Sequence, residues 1–144
     1  VLALAIIATN SESKDVAQLA LDYLAQIRLP LKNWFLRLKQ PDGGFRMHFD
    51  GEVDVRATYT ILCCAKLLNI AVDEMCDDKV VDYIRRCQTF EGGFGGEPGT
   101  EAHGGYAYCA IAALQLLNRI SSIDIPALRG WLVRRQMAYE GGFQ

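Results

Sequence analysis

Apolar positions along the chain fall into two kinds of helical segment that alternate. One kind is amphipathic and ends in glutamine: Trp34-Phe-Leu-Arg-Leu-Lys-Gln40, Tyr83-Ile-Arg-Arg-Cys-Gln88 and Trp131-Leu-Val-Arg-Arg-Gln136. Their charged positions belong on a solvated face, which predicts outer helices. The other kind has few or no charges and small residues all round, the pattern of a helix covered on every side. It spans about Val53–Asn69 and about Ala102–Asn118 and predicts inner helices. The opening run, Val1–Ala8, reads as the tail of an earlier inner helix.

The alternation is a repeat. Asp42-Gly-Gly-Phe45, Glu91-Gly-Gly-Phe94 and Glu140-Gly-Gly-Phe143 stand 49 residues apart, and the same offset lays Glu52 on Glu101, Tyr59 on Tyr108 and Asn69 on Asn118. A period of this length predicts a solenoid or a closed ring of helix pairs. Loops are expected at 41–52, 90–101 and 139–144, with residues 1–144 forming about two and a half repeats of one domain. Asp124 and Pro126 read as the cap and early-turn proline of the third outer helix. From Asn10 to Trp34 the chain runs about ten residues longer than the corresponding stretches. The helical spacing of Val16, Leu19, Ala20, Tyr23, Leu24 and Ile27 meets Leu29-Pro30, which predicts a break and two helices there. The glycine pairs supply positive φ and close packing at turns. Without a strand before them or Gly-Lys-Ser/Thr after them, they do not read as a phosphate loop.

Composition narrows the function. The chain has 144 residues, 51% apolar, and a net charge of −2 with a pI near 5.7. Lacking a basic patch, it offers no footprint for nucleic acid. Five scattered cysteines without a C-x-x-C pair read as reduced thiols of a cytoplasmic protein, neither a disulfide framework nor a zinc finger. The opening apolar run is too short to span a bilayer, and the Gly pair, His103, Gln115 and length of the Ala102–Asn118 run favour a buried helix. With no initiator Met and an end inside a recurring motif, the chain is expected to be a slice of a longer protein.

Candidate chemistry gathers at the start of the second inner helix. His103 lies at or beside its N-terminus, where free amides and the dipole favour an anion. Gly104 and Gly105 follow, at about 1 kcal/mol each against alanine in a helix, as if space near the backbone were needed. A core histidine is the other reading. In the preceding unit Arg56 corresponds to Gly105; an internal ion pair with Glu52 or Asp54 and contact with a ligand are both open. Arg56, Tyr59 and Cys63 share one helix side, as do Tyr106, Cys109 and Ala113. A cationic end and an apolar wall fit an anionic head on a hydrocarbon tail.

The strings Gln40-Pro-Asp-Gly-Gly-Phe-Arg-Met-His48, Gly51-Glu-Val-Asp-Val-Arg56, Glu101-Ala-His-Gly-Gly-Tyr-Ala-Tyr-Cys109 and Arg135-Gln-Met-Ala-Tyr-Glu-Gly-Gly-Phe-Gln144 resemble the β subunits of protein farnesyltransferases. The resemblance runs from about Trp34 onward. Geranylgeranyltransferase β subunits share the Asp-x-Arg and Ser/Ala-His-Gly/Ala elements, but Gly-Gly-Tyr and the closing Glu-Gly-Gly-Phe-Gln look farnesyl-type. The resemblance implies an all-α fold, an α/α toroid of which this chain is a partial arc. It implies a heterodimer with an α subunit, and farnesyl transfer from farnesyl diphosphate to the cysteine of a C-terminal CaaX motif. Carried over residue by residue, His103 contacts the diphosphate and assists its departure. Gly104, Gly105, Tyr106 and Cys109, with Arg56 and Tyr59, border the isoprenoid. Glu52 and Arg56 help hold the peptide carboxylate. The family's zinc ligands, an Asp-x-Cys pair and a later His, would lie beyond Gln144, as would further diphosphate-binding Arg and Lys residues; magnesium could accompany the diphosphate. A class II terpene cyclase should show an Asp-rich proton donor, which is lacking here. A non-catalytic toroid domain would have lost His103 and Arg56.

Overall fold

The structure is a computed structural model and describes residues 1–143. Among these, helices α1 (Leu2–Asn10), α2 (Lys14–Leu38), α3 (Val55–Leu67), α4 (Asp78–Arg86), α5 (Gly104–Leu116) and α6 (Ile125–Arg135) follow one another, with 3-10 turns at Val72–Glu74 and Ile120–Ser122. The described residues contain no strand, only isolated bridges within the loops. The inner helices are α3 and α5, packed side by side. Residues 49 apart meet across them, with the Tyr59 and Tyr108 hydroxyls 3.1 Å apart, so the two run parallel. The outer helices run the other way. Asp78, at the start of α4, pairs with Arg119 just past the end of α5, while Tyr83, late in α4, donates to the Val53 carbonyl just before α3.

Each helix end has a local cause. Ser13, Asp54, His103 and Asp124 accept amide hydrogens at the starts of α2, α3, α5 and α6, and the predicted Asp124–Pro126 signal is found, with Asp124 Oδ1 2.9 Å from the Ala127 amide. Asn69 and Asn118, at equivalent points after α3 and α5, take left-handed φ of 52° and 56°. The core lies between inner and outer layers, around Leu62, Val80, Tyr83, Ile84, Ala110, Leu114 and Trp131.

Two expectations are corrected. The stretch Lys14–Pro30 does not end a helix: α2 runs unbroken through Pro30. Proline removes one backbone donor, a local loss. Beyond it the helix is anchored by buried Phe35 and Leu38, while Arg28 donates to the Asn69 carbonyl and Lys32 pairs with Glu74. The extra residues therefore lengthen an outer helix. The second correction concerns α5, which is not covered on every side. Ala107, Ala110, Ala113 and Leu114 are buried, but Gly104, Gly105, Tyr108 and Gln115 are exposed. Small residues bring α5 close to its neighbours along one side; its other side faces an opening.

The Gly-Gly loops key successive repeats together. Gly43 and Gly92 have φ of +99° and +101°. A Cβ on Gly43 would overlap the carbonyl oxygen of Lys79 in α4, and one on Gly92 that of Ala127 in α6. The next glycine lies under an aromatic ring of the same outer helix, Gly44 under Tyr83 and Gly93 under Trp131. An arginine closes the contact: Arg86 donates to the Asp42 carbonyl at 3.1 Å, and Arg134 to that of Glu91 at 3.0 Å. Phe45 and Phe94, which follow the glycines, are fully buried. No helix of the described residues is long and apolar enough to cross a membrane.

Candidate functional site

The N-terminal ends of α3 and α5 are brought to one place by the loop between α4 and α5. The Gly96 carbonyl accepts from the Val55 amide at 2.9 Å, tying that loop to the first turn of α3. The Phe94 carbonyl accepts from the His103 amide at 3.0 Å, tying the same loop to α5. Gly96 also lies flat against the Tyr106 ring, where a Cβ would stand 3.1 Å from its edge. Glycine at this position lets the ring settle directly on the loop backbone.

Between these ends opens a cavity of about 880 Å³. Of the residues singled out from the sequence, Glu52, Arg56, His103, Gly105, Tyr106 and Cys109 line it. Gly104 and Tyr59 do not. Gly104 is exposed but presents no side chain, and Tyr59 is turned against the next helix. Its hydroxyl meets that of Tyr108, and the two rings cross edge-on with centroids 5.4 Å apart. Their bond pushes the Tyr59 phenol pKa above the usual tyrosine range. The wall also includes Tyr108, Glu97, Thr100 and Glu101, none assigned a role from the sequence, and Asp54, which the sequence offered as an ion-pair partner of Arg56. The 49-residue match of Tyr108 to Tyr59 could have found the first tyrosine's partner. The two glutamates lie in the loop and on its exit, where no helical periodicity marks a facing side.

His103 is exposed in the described structure. It is the N-cap of α5: Nδ1 accepts the Gly105 amide hydrogen at 3.0 Å. That bond fixes the tautomer, leaving the ring proton on Nε2, away from the helix. The ion-pair reading of Arg56 is borne out. Nε stands 3.1 and 3.0 Å from the two Asp54 oxygens, and Nη2 reaches Glu52 at 3.1 Å. The hydrogen bonds that Arg56 donates to Asp54 raise the guanidinium pKa further above its already high value. Its side chain is nevertheless 44% exposed and free to face a ligand. The Tyr106 ring lies between the two cationic or donor groups, 5.5 Å from the Arg56 guanidinium carbon and 5.7 Å centroid to centroid from His103. This is a polar mouth with a donor and a cation, continued by an aromatic and small-residue wall.

The thiols are quiet. Burial raises Cys109, pushes Cys76 up to about 11 and Cys87 up to about 12. Among the described residues no group of three or more His, Cys, Asp or Glu side chains could hold a metal ion.

Comparison with known proteins bears on the family and the fold. Protein farnesyltransferase subunit beta of Pisum sativum is 51% identical over 117 residues, covering 81% of this chain and 27% of the relative. Geranylgeranyl transferase type-1 subunit beta of Arabidopsis thaliana is 40% identical over 124 residues, covering 76% of this chain and 32% of the relative. Among solved structures, Candida albicans protein geranylgeranyltransferase-I complexed with GGPP superposes with a TM-score of 0.59 at 25% identity, covering 86% of this chain and 38% of that one. The chain thus spans about a quarter to a third of the length of the curated relatives it matches. The prenyltransferase alpha-alpha toroid domain profile matches residues 2–144. With its parallel inner helices, antiparallel outer helices and Gly-Gly loops, this chain belongs to the prenyltransferase α/α-toroid family.

Proposed function

We propose that residues 1–144 are a partial arc of the toroid of a protein farnesyltransferase β subunit and supply one wall of its active site. The reaction is transfer of farnesyl from farnesyl diphosphate to the cysteine of a CaaX motif, by a cytoplasmic heterodimer with an α subunit. The observation that carries this reading is the cavity between α3 and α5, with Arg56 and His103 at one end and Tyr106, Gly105 and Cys109 along its wall. The relatives named as farnesyltransferases are more similar to this chain than those named as geranylgeranyltransferases, which favours the fifteen-carbon donor.

In the transfer, the acceptor sulfur forms a bond to the first prenyl carbon as that carbon's bond to oxygen breaks. The diphosphate leaves with the electron pair. Negative charge grows on its oxygens, and the His103 Nε2–H, aimed outward by the Gly105 bond, donates to them. Tyr106 and Cys109 border the isoprenoid, with Gly105 leaving room for it and Tyr59 backing the wall through Tyr108. Gly104 keeps the backbone close beside it. Arg56 walls the isoprenoid and, with Glu52, holds the peptide carboxylate, the Glu52 contribution passing through water because carboxylates repel. The cavity also carries Glu97 and Glu101, so the diphosphate needs more positive charge than Arg56 and His103 provide. Basic residues beyond Gln144, with magnesium, meet that need in this reading. Zinc, held by residues also beyond Gln144, would favour the acceptor thiolate.

The test is a titration of the complete β subunit with its α subunit. Tyr106→Ala should weaken binding of a fluorescent farnesyl diphosphate analogue by about 1–3 kcal/mol, the scale for losing a buried aromatic contact. Unchanged affinity would assign Tyr106 to ordinary packing. Preferential transfer from geranylgeranyl diphosphate would favour the type-1 relative instead.

A further inference from the structure

We propose that Asp54 is a positioning residue of this site: it holds the Arg56 guanidinium over the Tyr106 ring and so sets the polar end of the cavity. The proposal rests on the functional reading above, in which Arg56 meets the substrates. Asp54 is 5% exposed, the one buried charged residue among those described. A carboxylate is rarely buried without full compensation, and here every partner belongs to Arg56. Oδ1 accepts the Arg56 backbone amide at 2.8 Å, capping α3. The same oxygen accepts from Nε at 3.1 Å, and Oδ2 accepts from Nε at 3.0 Å and from Nη2 at 2.5 Å. One carboxylate thus fixes both the backbone and the head group of a single residue.

The consequence lies in orientation. An arginine side chain has several freely turning bonds, and an exposed one samples many rotamers. Gripped along Nε and one terminal nitrogen, the guanidinium is held in a single plane with its other terminal nitrogen unpaired by these contacts. It then stands 5.5 Å from the Tyr106 ring, within the range of a cation–π contact. Glu52, on the same terminal nitrogen, is exposed and adds a weaker hold. Asp54 touches neither substrate in this scheme; it acts through Arg56.

The test uses the complete heterodimer and four proteins: the parent, Asp54→Asn, Arg56→Gln and the double variant. Asparagine keeps an oxygen to cap α3 but presents an amide, not a carboxylate, to the guanidinium. Asp54→Asn should raise the peptide KM by about tenfold while kcat falls less and the melting temperature stays near the parent's, since misplacing a binding group costs on this scale. In the double variant the KM should match that of Arg56→Gln alone, because the two residues act as one unit. A parental KM in Asp54→Asn alongside an impaired Arg56→Gln would overturn the positioning role. Additive effects in the double variant would do so too. If Arg56→Gln itself keeps the parental peptide KM and prenyl diphosphate affinity, the assignment of Arg56 to the site fails, and the proposal falls with it.

Discussion

The two ring nitrogens of His103 carry separate duties, and substitution can separate them. Nδ1 caps α5 through the Gly105 amide, and Nε2–H faces outward. Losing a capping acceptor costs about 0.5–2 kcal/mol of stability. Losing a donor to a departing anion acts on the transition state and should slow the chemical step by one to three decades, about 1.4–4 kcal/mol. His103→Ala removes both and should therefore melt lower and transfer more slowly. His103→Asn keeps an oxygen able to cap, among the best N-cap residues, and lacks the outward N–H at the imidazole position. It should melt like the parent yet transfer as slowly as the alanine variant. Single-turnover farnesyl transfer, followed beside thermal melts of the complete heterodimer, reads both quantities. An asparagine variant that transfers at the parental rate would refute the donor role. Equal melting of the alanine variant and the parent would refute the cap.

Gly92→Ala should destabilise by about 3 kcal/mol, combining a left-handed backbone with overlap onto α6, whereas Gly99→Ala, also at positive φ but with open space beside it, should cost only about 1 kcal/mol; chemical unfolding curves compare them, and equal losses would mean the contact with Ala127 is slack. Burial holds the thiol pKa of Cys76 up to about 11 and that of Cys87 up to about 12. Both should resist iodoacetamide at pH 8, with Cys76 labelling ahead of Cys87 as pH rises, since a raised pKa keeps the thiolate scarce until the pH approaches it. Because the folded values lie above the free thiol's, folding stability from these groups is intact below about pH 8.5 and is lost as pH climbs through 11 and 12. Mass spectrometry across that range provides the check.

Much of this was legible in the residues because the repeat is written in types with few substitutes. Glycine at positive φ, phenylalanine after it and an Asp–Pro cap each admit one local geometry, and their spacing gave the inner and outer layers. Pro30 was misleading because a local rule met a tertiary override: buried Phe35 and Leu38 carry the far half of α2. The charge-free run of α5 reads as covered because a cavity wall and a core both accept the same small apolar residues. Arg56 was ambiguous in sequence for the reason that it is double in structure, paired with acids on one side and open on the other. Glu97 and Glu101 escaped because a loop and its exit carry no helical periodicity, whereas Tyr108 was within reach of the 49-residue match to Tyr59.

The keyed loops carry a lesson for aligning and engineering such chains. Gly43 meets Lys79 and Gly92 meets Ala127, so the second contact spans one residue fewer than the first although both are built alike. The missing residue returns in the turn after α6. The Gly92 amide reaches back three residues to the Thr89 carbonyl, but the Gly141 amide reaches back four, to Met137. This one-residue difference is thus absorbed in the connecting turns while the packed faces keep their register. A strict period imposed on the sequence would rotate the third outer helix by about 100°, the angle of one helical residue, and carry Trp131 off Gly93. What is conserved from one unit to the next is a set of contacts, with chain length left free to vary at the hinges between them.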